Sequence, residues 1–173
     1  MNWIQVYTGE IFDLLETKQK TINIVDIAHA LSLQCRFGGH CSEFYSVAQH
    51  SILVSEVITK DLALYGLLHD AAEAYLGDVV TPLKRLIPFY EQTERILLGR
   101  ILSRFGLSEE TFDTYHWEIK SADMVALVTE KRDLFTVDKW PITEYIADER
   151  KIASMEPKMA ELMFLKRFGE LSG

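Results

Sequence analysis

The sequence predicts an all-α fold, a compact helical bundle that forms a single domain over residues 1–173. The prediction rests on length and composition, on helical periodicity and on the scarcity of strand signals. At 173 residues, 48% of them hydrophobic, the chain can build one real core and is too apolar to stay disordered. Apolar residues recur at the three- and four-residue spacing of a helix face through most of the chain, between only four prolines at 82, 88, 141 and 157. No internal repeat and no low-complexity segment interrupts them.

In chain order, "WIQVYTGEIF" is the candidate for a short hairpin, turning at Thr8-Gly9. From Asp26 the stretch "DIAHALSLQCRF" turns helical, until Gly38-Gly39 breaks it. Ser46 opens the next helix with a capping box, "SVAQ": its hydroxyl caps an amide, Gln49 reaches back, and the helix runs to about Ile58. After the tight turn "TKD", another helix runs from Asp61 to about Leu76 and stops at Gly77. "TPLKRLI" reads as a short helix with Thr81 as N-cap and Pro82 at the first helical position. "PFYEQTERILLGRILSRFG" is amphipathic, with Ile96, Leu97, Ile101 and Phe105 at helical spacing and Gly106 at its end. Ser108 caps a helix that continues through Trp117 and Asp123 to about Phe135, and a last helix spans about Pro157 to Phe168.

Charge and composition narrow the function. A net charge of −8 argues against broad binding to nucleic acid or to a membrane surface, both of which favour basic faces. No apolar run approaches ~18 residues, so no membrane span is expected. The N-terminus lacks a basic region followed by an apolar stretch, so no signal peptide is expected. Cys35 and Cys41 are the only cysteines, too few for a four-cysteine zinc site or a disulfide framework, and a reduced, cytoplasmic setting follows.

The informative stretch is "YGLLHDAAEAYLGD", residues 65–78, where a histidine and acids interrupt an apolar helix. Charged groups are rarely buried unless they are paired or hold a metal. The turn between the two central helices is centred near residue 60, and His50 precedes that centre by about as much as His69 follows it. In an antiparallel helix pair, equidistant residues come level. Asp70 lies ~100° further round the helix, Glu73 one turn on, and Gly66 one turn before, leaving room for a close neighbour. Leu64, Leu67, Leu68, Ala71 and Tyr75 make the core stripe on the other side. Two imidazoles and a carboxylate in a bundle core suit Zn, Mn, Co or Fe rather than Ca. Asp123 in "IKSADMVALV" is the best candidate for a further ligand; its competing reading is a salt bridge to Lys120 or Arg132. His69 alone reads as a satisfied core histidine, and with Asp70 as a buried ion pair. His29 reads as structural and His116 as a surface residue.

At these residues the sequence resembles the HD-domain metal-dependent phosphohydrolases, whose hallmark is a histidine, an adjacent His-Asp pair and a distant aspartate. The matching residues are His50 in "YSVAQHS", His69 and Asp70 in "GLLHDAAEAYLGD", and Asp123 in "KSAD". The match extends from "DIAHALSLQCRFGGH" through "TPLK", and it is nearest to the small nucleotide-hydrolysing branch of 5′-deoxynucleotidases and phage dATP triphosphohydrolases. The resemblance implies a bundle of the HD-domain type and a divalent transition metal (Zn, Co or Mn) at His50, His69, Asp70 and Asp123. It implies that Arg36 binds phosphate and Phe37 contacts base or sugar, where a tryptophan is common in that branch. Glu73 then matches the general acid/base and Asp78 the aspartate at the substrate, with Lys84 and Lys120 at lysine positions. His40, following Gly38-Gly39, joins the expected substrate-binding set. The Gly-Tyr-Pro tripeptide of the signalling branch does not occur. Family members often form dimers or hexamers, so a homo-oligomer is expected, in the cytoplasm or, for a phage-encoded chain, in the host's.

The expected activity is hydrolysis of a deoxynucleotide. A bound metal lowers the pKa of a water and polarises the phosphoryl group, Arg36, Lys84 and Lys120 neutralise phosphate, and Glu73 moves protons. The open Gly38-Gly39-His40 segment and three candidate cations favour a deoxynucleoside triphosphate (dATP or another dNTP), cleaved to deoxynucleoside and triphosphate. The alternatives are a 5′-deoxynucleotidase acting on monophosphates and a catalytically silent, metal-stabilised nucleotide-binding module.

Overall fold

A computed structural model of the chain describes residues 2–14, 21–137, 139 and 144–173. Two short strands, β1 (Trp3–Gln5) and β2 (Ile11–Asp13), pair antiparallel with Ile4 opposite Phe12, as "WIQVYTGEIF" predicts. The amide and hydroxyl of Thr8 both donate to Asp26 and pin the hairpin tip, while Phe12 stacks on Tyr75 at 4.0 Å. The other regular elements are helices, α1 (Ile24–Leu33), α2 (Val47–Val57), α3 (Ala63–Leu68), α4 (Glu73–Leu76), α5 (Thr81–Lys84), α6 (Tyr90–Arg104), α7 (Glu109–Thr114), α8 (His116–Leu134) and α9 (Pro157–Leu171), with 3-10 turns at Arg36–Gly39 and Lys60–Leu62. All-α is therefore the right class for the described residues, apart from the hairpin.

α2 is the central element, packed against α1, α3, α8 and α9. Its position follows from its sequence, because Val47, Ala48, Ile52 and Val54 bury apolar faces on more than one side. One main core joins α1, α2, α3, α6 and α9 through residues such as Ile27, Leu31, Leu67, Leu68, Ile101 and Phe164. A small second cluster of Val54, Ala122 and Ala126 seals α2 to α8. No described helix is long and apolar enough to cross a membrane.

Several boundaries differ from the sequence reading, each for a local reason. Ser46 does cap α2, its hydroxyl accepting from the Gln49 amide, but the Gln49 side chain does not reach back. It donates to the Ala153 carbonyl and accepts from the Met155 amide, tying down the segment before α9. Thr81 is the first residue of α5 rather than its N-cap, which is Val80. Ile96 is exposed, and the buried face of α6 is Leu97, Leu98, Ile101 and Leu102. The long helix expected after Ser108 is split at Tyr115 into α7 and α8.

The most consequential difference is in the expected helix 61–76, which is not continuous. Between α3 and α4 the chain tightens to three-residue steps, with Ala71 N donating to Leu68 O and Glu73 N to Asp70 O. The Gly66 carbonyl accepts from the His69 ring at 2.8 Å, so an imidazole competes for an acceptor that a regular helix gives to an amide. Gly77, at φ 85°, ends the segment as predicted, in a conformation that disfavours a side chain.

Gly66 brings α3 against α2. A Cβ there would lie 3.1 Å from Ile58 Cγ2 and 3.3 Å from Ser55 Cα. Gly66→Val should therefore destabilise the protein by about 1–3 kcal/mol, read by urea denaturation. Wild-type stability in that variant would show that the helices are not in close contact.

Candidate metal centre

Three elements bring the polar residues together. α2 carries His50, the tightened turn after α3 carries His69 and Asp70, and α8 carries Asp123. His50 Nε2 stands 3.3 Å from His69 Nε2, 3.5 Å from Asp70 Oδ2 and 3.3 Å from Asp123 Oδ1. His69 Nε2 stands 3.2 Å from Asp70 Oδ2 and 4.0 Å from Asp123 Oδ1. The equal heights inferred from the helix pair thus hold.

Hydrogen bonds behind the rings set which nitrogen carries the proton. His50 Nδ1 donates to Glu130 Oε1 at 2.7 Å and His69 Nδ1 to the Gly66 carbonyl at 2.8 Å; neither acceptor can donate back. Both Nε2 atoms are left facing one another across 3.3 Å, a contact that a proton on one of them or a metal ion between them relieves. Ligand atoms held at about 2.0–2.2 Å from one metal ion lie roughly 3–3.5 Å from their neighbours around it, which is the spacing of every pair named above except His69 Nε2 and Asp123 Oδ1, at 4.0 Å. His50, His69 and Asp123 can hold a metal ion, and Asp70 lies at the same spacing from both histidines.

Electrostatics follow from this crowding. Burial and then Arg36 oppose a proton on His50, but Glu130 and Asp123 outweigh them and push the imidazole up to about 9. Burial raises Asp70, yet the neighbouring His69 and then His50 hold its carboxyl below the usual range. Burial also raises Asp123, and His50 reverses this and holds it well below the ordinary carboxylate. Glu73 behaves oppositely: burial, then the Asp70 charge, push it well above the usual range, against the pull of Lys84.

Above the cluster opens a cavity of about 590 Å³, a size suited to a small molecule. It is lined by Arg36, Phe37, His40, Asp70, Glu73, Asp78, Lys84, Lys120 and Asp123, with Val79, Val80, Thr81, Pro82, Leu127 and Phe135. Every expected site residue except His50 and His69 lines it, and those two lie at its floor against Asp70 and Asp123. Phe37 sits in the left-handed region at φ 60°, an uncommon conformation for a side-chain-bearing residue, with its ring edge-on to Phe135 at 5.0 Å. Glu73 Oε1 accepts from Lys84 at 2.8 Å, while Oε2 is buried without a partner. Lys84 is shared with Glu94 at 2.6 Å, and Lys120 donates to Asp123 Oδ2 at 2.6 Å. Asp123 therefore makes the Lys120 contact named as its competing reading while its other oxygen faces His50. His29 packs inward against Glu161, and His116 is exposed, as expected.

Sequence reasoning missed Gln34, Glu94 and Glu130. Gln34 bridges the Glu73 carbonyl and the Asp78 amide and so holds both ends of α4. Glu130 is wholly buried between His50 and Arg36. A signal for it existed: it follows Asp123 by seven residues, two helical turns along one face of α8.

Fold and site define a helical protein with a mixed histidine–aspartate centre, able to hold a metal ion, at the floor of a cavity. No protein-family model matches the chain. It is 39% identical over 176 residues to the uncharacterized protein YfdR of Escherichia coli (strain K12), covering 99% of this chain and 97% of that protein. It is 35% identical over 142 residues to the uncharacterized protein RCAP_rcc00048 of Rhodobacter capsulatus, covering 76% of this chain and 72% of that protein. The chain belongs to the same family as YfdR.

His69→Ala and Asp123→Ala should each lower Mn(II) affinity by more than the about 10–100-fold that an outer hydrogen-bonding partner costs. Isothermal titration reads this directly, and wild-type affinity in both variants would remove the centre.

Proposed function

We propose that this protein is a metal-dependent phosphohydrolase of the HD-domain type acting on deoxynucleotides. The observation that carries the reading is the pair of Nε2 atoms 3.3 Å apart with Asp70 and Asp123 beside them, at the floor of a cavity that also holds Arg36 and Glu73. The four-part histidine and aspartate pattern supports the family, and the donor set suits Zn, Co or Mn.

When bound at His50, His69, Asp70 and Asp123, such a metal supplies Lewis-acid charge that polarises a phosphoryl oxygen and acidifies water. The chain's own groups do the rest. Arg36 holds phosphate with the nitrogens that Glu130 does not take; its Nε is buried without a partner. Water attacks phosphorus, the bond to the 5′ oxygen breaks, and the departing oxygen takes a proton. Glu73 moves that proton at its unpartnered Oε2, with Lys84 fixing Oε1. Phe37 and Phe135 offer ring surface to base or sugar, beside His40, and Asp78 accepts from a sugar hydroxyl.

Charge favours the monophosphate over the triphosphate. The three cations from which a triphosphate reading starts are each tied to a carboxylate: Arg36 to Glu130, Lys84 to Glu73 and Glu94, Lys120 to Asp123. Four carboxylates and three cations line the cavity. A divalent ion added to that set suits the roughly −1.5 to −2 charge of a phosphate monoester better than the larger charge of a triphosphate. The open Gly38-Gly39-His40 segment is what keeps the triphosphate as the second reading.

With Mn(II) present, dAMP should yield orthophosphate and deoxynucleoside, followed by separate detection of orthophosphate and triphosphate. Triphosphate release from dATP would restore the second reading, and hydrolysis of neither would leave a metal-stabilised binding module. Glu73→Gln should retain metal and lose turnover by about 10²–10⁴-fold; near-wild-type turnover would remove Glu73 from proton transfer.

A further inference from the structure

Glu130 is wholly buried, and each of its oxygens is committed to a different functional neighbour. Oε1 accepts from His50 Nδ1 at 2.7 Å, and Oε2 accepts from Arg36 Nη2 at 3.2 Å. A carboxylate only accepts, so one side chain holds the back of a metal-ligating imidazole and one end of the guanidinium assigned to phosphate. α8 makes this possible by carrying Asp123 at the cluster and Glu130 two turns on, behind it.

Resting on the proposed metal and phosphate roles, we infer that Glu130 is a positioning residue that couples the two sites. Its bond to Nδ1 keeps the His50 lone pair on Nε2, facing His69, Asp70 and Asp123. Its bond to Nη2 fixes the other end of the guanidinium, so that Nη1 pairs with Asp70 Oδ2 only at 3.7 Å, beyond hydrogen-bond length. Without that restraint the guanidinium closes on Asp70, occupies an oxygen that the metal needs, and leaves the phosphate position. Metal affinity and phosphate affinity therefore depend on one carboxylate. A buried ion pair that served folding alone would brace the helices without this dependence.

The test uses Glu130→Gln, which keeps the shape and removes the charge, with Mn(II) and inorganic phosphate as probes. Mn(II) affinity, read by titration with paramagnetic resonance, should fall about 10–100-fold. Phosphate affinity at saturating Mn(II) should fall about tenfold or more, the weight of a hydrogen bond between charged groups. Adding Arg36→Gln to the variant should recover part of the Mn(II) affinity, because no guanidinium remains to occupy Asp70. A lower melting temperature with both affinities unchanged would make Glu130 merely structural. Lost metal affinity with phosphate affinity intact, or a double variant no better than the single one, would overturn the coupling. If Glu130→Gln does not fold, Glu130→Asp, which retracts the charge by one methylene, carries the same expectations. Neither probe is a nucleotide, so failure of the wild-type protein to hydrolyse deoxynucleotides would sink the proposed function separately.

Discussion

Two imidazole nitrogens face each other across 3.3 Å, each ring with its Nδ1 proton committed to an acceptor on the far side. Much of the remaining architecture serves that arrangement. Gly66 lets α3 lie close enough to α2 for the rings to meet. The tightened turn between α3 and α4 presents His69 and Asp70 to the cluster and Glu73 to the cavity beside it. α8 crosses the pair to bring Asp123 from one side and Glu130 from behind. Bringing two acceptors together in a buried place costs free energy unless a proton or a metal ion joins them, and His50, His69 and Asp123 are spaced so that they can hold a metal ion.

Charge is distributed in layers around this point. The carboxylates nearest the imidazoles are held ionised by them, although burial works against it. Glu73, nearly buried and beside Asp70, is driven the other way and keeps its proton more readily. Environment thus separates acids of similar intrinsic strength into two that stay ionised and one that holds its proton. Each cation lining the cavity is paired with a carboxylate, so little positive charge is left unbalanced there.

Much of this was legible in the chain. The heights of His50 and His69 follow from a short turn between helices of known pitch, and Gly66 one turn earlier signals close approach. The stops at Gly77 and the cap at Ser46 are carried by single residues whose chemistry acts locally. Less legible was the break at residues 69–72, because a ring competing for the Gly66 carbonyl leaves helical periodicity almost intact. The carboxylate partners of Lys84, expected to neutralise phosphate, were not legible either, because Glu73 and Glu94 flank it only once α4, α5 and α6 fold together.

The sequence by itself determined the helical class, the hairpin at the N-terminus and the residues that meet at the cluster, since periodicity, caps and spacing are properties of neighbours along the chain. Only the tertiary structure decided that Gln49 ties down residues 153 and 155, that Lys84 guards Glu73, and that Glu130 stands between His50 and Arg36. These contacts join residues up to about a hundred positions apart. Which buried acid meets which base depends on helix crossings, and these are set by the packing of whole faces rather than by any local pattern.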